Sequence, residues 1–160
     1  ALIAPYRGYS GFMFRIANER SSELVEVEVQ VTYSFIDLET KRRRFTFLDL
    51  ELKKINFLSL AWTLVHPIDV ESPIHGMGTD DFEAADAEFI VMVKGFDDSF
   101  STTVYQRSSY KYWDLICNAK FSNIVTPSEG DENDASLVID MARIGDYEMV
   151  PPVTNAEVPS

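Results

Sequence analysis

In the run 23–35 hydrophobic and polar side chains alternate without a break from Val25 onward. Val25, Val27, Val29, Val31, Tyr33 and Phe35 share one parity; Glu26, Glu28, Gln30, Thr32 and Ser34 share the other. Side chains on a strand alternate between two faces, so this pattern predicts a strand with one face on a core and an acidic face toward water. The preceding run 11–17 reads as a second strand, ended by turn-forming residues 18–22. Alternation resumes at Phe45, Phe47, Leu50 and Leu52. A β-rich run over 57–65 carries Trp62 and is predicted to break at His66-Pro67, because proline removes a ladder donor. Residues 88–94 and 101–107 read as two more strands, and 137–139 and 147–150 as short late ones.

Helical signals are sparse. Thr79 is placed to cap a short helix over 80–85, with Asp80 and Asp81 in the first turn, where the helix dipole favours acids. Residues 108–118 fit either a helical face through Tyr110, Trp113 and Cys117 or a turn and strand. Residues 128–134 read as a polar loop and 155–160 as a frayed tail. A string of strands with one short helix predicts an all-β sandwich.

Composition narrows the function. The 160 residues fit one domain, and 46% hydrophobic content is enough to build a core. Twenty-six acidic residues against 14 basic ones leave a formal charge of −12, which disfavours nucleic acid and favours cations or basic partners. Cys117 is the only cysteine, so neither an intrachain disulfide nor a cysteine-built zinc site is expected. No run approaches the ~20 apolar residues that cross a bilayer as a helix. The apolar stretch at residues 1–5 is too short for a secretory signal, and a start at Ala1 suggests a piece of a longer chain.

Catalytic and metal motifs are weak. His66 and His75 lack the helical spacing of a zinc protease, and no nucleophile elbow, phosphate loop or dinucleotide fingerprint occurs. Asp80-Asp81 and Asp97-Asp98 lack the spaced ligands of an EF-hand. The expectation is a non-enzymatic domain without cofactor or metal.

Several ordered stretches resemble the cytoplasmic domain of inward-rectifier potassium channels, the prokaryotic branch most of all. They are residues 12–20 followed by Leu24-Val25-Glu26; residues 62–69 leading into Glu71-Ser72-Pro73; and residues 85–89, then Gly95, then Arg107-Ser108-Ser109-Tyr110. Weaker echoes follow at Asp114-Leu115-Ile116 and Tyr147-Glu148. The resemblance implies an immunoglobulin-like β-sandwich with one short helix over residues 11–150, preceded by a linker (1–10) from a membrane pore and followed by a flexible tail (151–160). It implies a homotetrameric ring under the transmembrane pore domain of the same polypeptide, with potassium ions on its axis, and a grouping with voltage-gated channels.

Site residues follow from the same match. Glu26 falls on a pore-lining acidic position, and Glu28 shares its face by the period-2 rule. Four copies of both would line the duct with eight formal negative charges. Gly95, Phe96, Asp97, Asp98, Ser99, Phe100, Ser101, Thr102 and Thr103 match the constriction at the membrane end of the duct. There Gly95 is expected to supply backbone torsions that other residues resist, and Phe96 and Phe100 to narrow the passage or pack around it. Arg20 matches a membrane-proximal regulatory loop linked to anionic lipid, whose main basic residues would lie outside this chain. The basic run 41–44 reads instead as a solvated strand edge.

Two departures weaken the case for strong polyamine block. Lys94 stands where strong rectifiers carry an acid, and residues 52–56 lack the paired acids of their eukaryotic counterparts. The competing readings are an acidic β-sandwich that binds a basic protein, and a carbohydrate-active or calcium-dependent sandwich enzyme.

Overall fold

The computed structural model describes residues 1–19, 22–58, 60–127 and 137–152. In chain order the strands begin with β1 (Leu2–Tyr6), β2 (Tyr9–Ala17), β3 (Leu24–Ile36), β4 (Arg43–Leu48), β5 (Lys54–Leu58) and β6 (Ala61–Ile68). Helix α1 (Thr79–Ala84) precedes the hairpin β7 (Glu88–Asp97) and β8 (Thr102–Lys111). Short strands β9 (Ile116–Cys117), β10 (Ala119–Phe121), β11 (Val125–Pro127), β12 (Leu137–Ile139) and β13 (Tyr147–Met149) complete the chain.

Two sheets make the sandwich. One has the order β6-β2-β1-β9; the other has β4-β3-β7-β8, with β5 also paired to β3. Strand β3 is long enough to take two neighbours along one edge, β5 beside its first half and β4 beside its second. The valine parity predicted for the core is inside: Val27, Val29, Val31 and Tyr33 are buried. They meet Phe12 and Phe14 of β2 and Leu64 of β6 across the sandwich. Phe89 is the centre of this packing, stacked on Phe12 at 4.4 Å and on Tyr33 at 5.2 Å, with Phe82 of α1 edge-on at 5.8 Å. The expected all-β sandwich with one short α-helix is therefore present.

Several boundaries move. Residues 1–10, expected as a linker, supply β1 and the start of β2, and Leu2 and Ala4 are buried in the sheet. The run 57–65 divides between β5 and β6, which belong to different sheets. His66-Pro67 does not end the strand: Pro67 sits within β6 opposite Gly11. Because β6 is an edge strand, the missing proline N–H costs no ladder bond on its open side. The helix is capped at Gly78, not Thr79; the Asp81 carboxylate accepts the Gly78 N–H at 2.7 Å. Residues 108–118 resolve as the end of β8, a 3-10 turn (Tyr112–Asp114) and β9. The expected polar loop 128–134 and tail 155–160 lie outside the described residues.

Strand β4 also presents the face opposite to its apparent pattern. Phe45 and Phe47 are 63% and 60% exposed, whereas Leu48 is buried. Register decides this: Phe45 pairs with Ser34 and Phe47 with Thr32, on the outer face of β3, while Leu48 pairs with Val31 on the inner one.

Candidate functional site

The outer face of β3 is where the sequence places its chemistry. Glu28 lies directly between Lys54 of β5 and Lys94 of β7, its cross-strand partners on the two sides. Directly opposed residues share a face, so one carboxylate is flanked by two ammonium-bearing side chains. Glu26 lies two residues earlier and is 59% exposed; its Oε2 accepts from Lys54 Nζ at 2.6 Å. That hydrogen bond and the charge of Glu26 hold the Lys54 ammonium above its ordinary pKa, and Glu28 adds to the effect. An ion pair this exposed contributes little to stability, but it changes the charge the face presents. The formal charges of Glu26, Glu28, Lys54 and Lys94 cancel within one chain.

Glu26 has an unusual backbone. Pairing of β3 with β7 shifts by one residue between Val25 and Glu28, a β-bulge, and Glu26 has φ of 51°. Glycine is the residue that takes a left-handed bulge position without strain, so a glutamate there holds its carboxylate at a conformational cost. Glu26 and Glu28 are both exposed, on either side of the buried Val27.

The hairpin beside this face differs from the expected loop. Gly95, Phe96 and Asp97 belong to β7, and Thr102 and Thr103 to β8; only Asp98, Ser99, Phe100 and Ser101 form the turn. Gly95 pairs regularly with Val104 and is not among the positive-φ glycines, so it supplies no special torsion. The left-handed residue of the turn is Ser101, at φ 49°. A Cβ at Gly95 would sit 3.5 Å from Val27 Cγ2, an ordinary contact. Phe96 pairs with Val25 and is partly buried, while Phe100 stands 73% exposed at the tip. The two phenylalanines therefore do different things.

Asp97 braces the turn. Its carboxylate is fully buried; Oδ1 accepts the N–H groups of Ser99 (3.1 Å) and Phe100 (3.3 Å). Oδ2 accepts the Ser22 hydroxyl at 2.9 Å, tying the turn to the segment between β2 and β3. Arg20, the expected regulatory residue of that segment, lies outside the described residues.

Other candidates are absorbed by the fold. His66 is buried, with Nδ1 2.7 Å from the Asp49 carbonyl and Nε2 2.7 Å from Ser72 Oγ. The carbonyl can only accept, so Nδ1 carries the proton and Nε2 accepts from the serine. In the basic run, Arg43 pairs with Asp86 and donates to Ser34 Oγ at 3.0 Å, and Arg44 pairs with Asp37 at 2.9 Å. These arginines hold strand edge and turn together, in line with the strand-edge reading. Among the described residues no group of three or more His, Cys, Asp or Glu is arranged to hold a metal ion.

Two residues escaped the sequence reading. Lys54 was visible only as part of a stretch lacking acids, because its place beside Glu26 depends on the β3–β5 register. Arg15 stood inside the matched stretch 12–20 with no role of its own assigned. From the outer face of β2 it donates to the carbonyls of Ser122 (2.7 Å) and Ile144 (2.6 Å) and covers the Phe121 ring at 4.5 Å. It thereby fastens the C-terminal segment to the sandwich.

The two-sheet sandwich is the fold the ion-channel resemblance implies, and it carries a charged outer face on its longest strand with an aromatic-tipped hairpin beside it. The inward rectifier potassium channel C-terminal domain family matches residues 1–157, and the chain belongs to that family. Inward rectifier potassium channel Kirbac3.1 of Paramagnetospirillum magnetotacticum is 29% identical over 128 residues, covering 78% of this chain and 43% of that protein. Inward rectifier potassium channel 4 of Homo sapiens is 28% identical over 134 residues, covering 78% of this chain and 30% of that protein. The chain thus spans less than half the length of these relatives. These findings bear out the resemblance to the cytoplasmic domain of a prokaryotic inward-rectifier channel, which is an ion-channel domain and not an enzyme family.

The grouping with voltage-gated channels does not hold. The family is that of inward rectifiers.

Proposed function

We propose that this domain forms one quarter of a homotetrameric cytoplasmic vestibule beneath the transmembrane pore of its own polypeptide, with the outer face of β3 turned to the axis. Potassium ions pass along that axis, and Glu26 and Glu28 bias the duct toward cations, since a water-filled passage walled by protein focuses the field of its lining charges. The hairpin tip around Phe100 lies at the constriction. The tie from Asp97 to Ser22 links it to the loop through which the membrane-proximal part is sensed. Lipid recognition belongs to basic residues outside this chain.

The observation that carries the reading is an exposed carboxylate pair on the outer face of the longest strand, in a chain whose family match runs over residues 1–157. Cysteine modification in the intact channel tests it, with Cys117→Ser as background. Burial raises the Cys117 thiol pKa and makes it a poor nucleophile, so its removal is a precaution. At Glu28→Cys, a cationic thiol reagent applied from the cytoplasmic side should lower inward cation current, and an anionic one should raise it. Equal currents after both reagents would refute an axial position.

A further inference from the structure

The face that the preceding reading turns to the axis is not a bare acidic wall. Its carboxylates occur among lysines brought in by strand pairing, one of them hydrogen-bonded to Glu26 at 2.6 Å. Glu28 is bracketed by Lys54 and Lys94 through direct register partners on both neighbouring strands. Glu26 itself stands at the β-bulge of β3, with φ of 51°.

We propose that Lys54 is a specificity-determining residue of the vestibule: it neutralises Glu26 within each subunit and so weakens the duct's hold on polyvalent cations. The inference rests on the vestibule reading and deepens it. The attraction of a cation to a ring of fixed charge scales with the ion's valence, so cancelling part of the ring charge weakens the hold on a divalent ion twice as much as on a monovalent one. Lys54 reaches Glu26 from the same chain, which makes the compensation a property of each subunit. Lys94 acts on the neighbouring carboxylate from the other side. The two lysines thus turn an acidic stripe into alternating charge, whose field decays over a shorter distance than that of a single-sign ring.

The test uses cytoplasmic magnesium as the probe in the intact channel. Lys54→Gln removes one positive charge per subunit and four per ring. With each charge roughly 10 Å from the axis, in water-like dielectric and physiological salt, magnesium block should strengthen about five-fold. The effect should shrink at high ionic strength. Lys54→Arg, which keeps the charge, should block like the unaltered channel, and Glu26→Gln with Lys54→Gln should return block close to its original level.

Unchanged block in Lys54→Gln, in a channel where Glu28→Gln weakens block, would overturn the compensation and leave the vestibule standing. Unchanged block in both would overturn the two together. Arg acting like Gln at position 54 would mean that shape, not charge, is read there, and would also overturn the proposal. Lys54 is 54% exposed and lies outside the core, so loss of folding is not expected; a melting curve of each variant channel checks this.

Discussion

Replacing Asp97 with alanine removes a fully buried carboxylate that accepts at least three hydrogen bonds, from Ser99 N–H, Phe100 N–H and the Ser22 hydroxyl. Hydrogen bonds to a charged group contribute about 1.5–3 kcal/mol each, so their gross loss is several kcal/mol. Two offsets apply. The alanine variant no longer desolvates a charge, and the amides of Ser99 and Phe100 belong to an exposed turn where water can replace the lost acceptor. A net loss of about 2–3 kcal/mol follows, or about 5–10 °C in melting temperature for a chain of this size.

Asp97→Asn separates the contributions. Its amide oxygen can still accept from both turn amides, and its NH2 group can donate to the serine oxygen, so the cost should be about 1 kcal/mol. Urea unfolding of the 160-residue chain, with hydrogen exchange at Ser99 and Phe100, reads both variants. Alanine within about 0.5 kcal/mol of the parent, or asparagine as damaging as alanine, would refute the brace.

Three further outcomes are expected. Glu26→Gly should leave stability unchanged or raise it by up to about 1 kcal/mol, since glycine relieves the left-handed φ at the bulge and loses part of that gain to unfolded-chain entropy; a clear loss in urea unfolding would remove the strain. Arg15→Met should cost about 2–3 kcal/mol by stranding the carbonyls of Ser122 and Ile144, and it should speed exchange of the Ser122 N–H that pairs with Asp146 at 2.9 Å; exchange unchanged throughout 119–149 would count against the fastening role. The hydrogen bond from Lys111 holds the Glu88 carboxyl below its ordinary 4.5, so this group stabilises the fold above that pH and loses its contribution as pH falls through the depressed value. Glu88→Gln should therefore flatten the acid limb of stability against pH, and a parallel pair of curves would contradict the linkage.

The legibility of the fold depended on how local each signal was. Strand β3 could be read because one face meets the core and the other meets water along its middle, so sequence parity survives in the structure. Strand β4 misled for a related reason: its phenylalanines imply an inward face, but the hairpin register places them opposite Ser34 and Thr32. Proline at position 67 signalled a break that an edge position made unnecessary. Gly95 pointed to special torsions, yet the strained residues nearby are Glu26 and Ser101, neither of a type that advertises positive φ.

At the site, the sequence by itself determined that an acid-faced strand exists, that its acids alternate with core valines, and that ordered fragments over most of the chain resemble an inward-rectifier domain. Those are properties of neighbours along the chain or of residue order. Only tertiary structure decided what stands beside the acids. Lys54 is 28 positions from Glu26 in sequence and 2.6 Å from it in space, and Lys94 reaches the same face from a strand more distant still. Charge on a sheet face is a sum across strands, and that sum is fixed by register, which no single segment encodes.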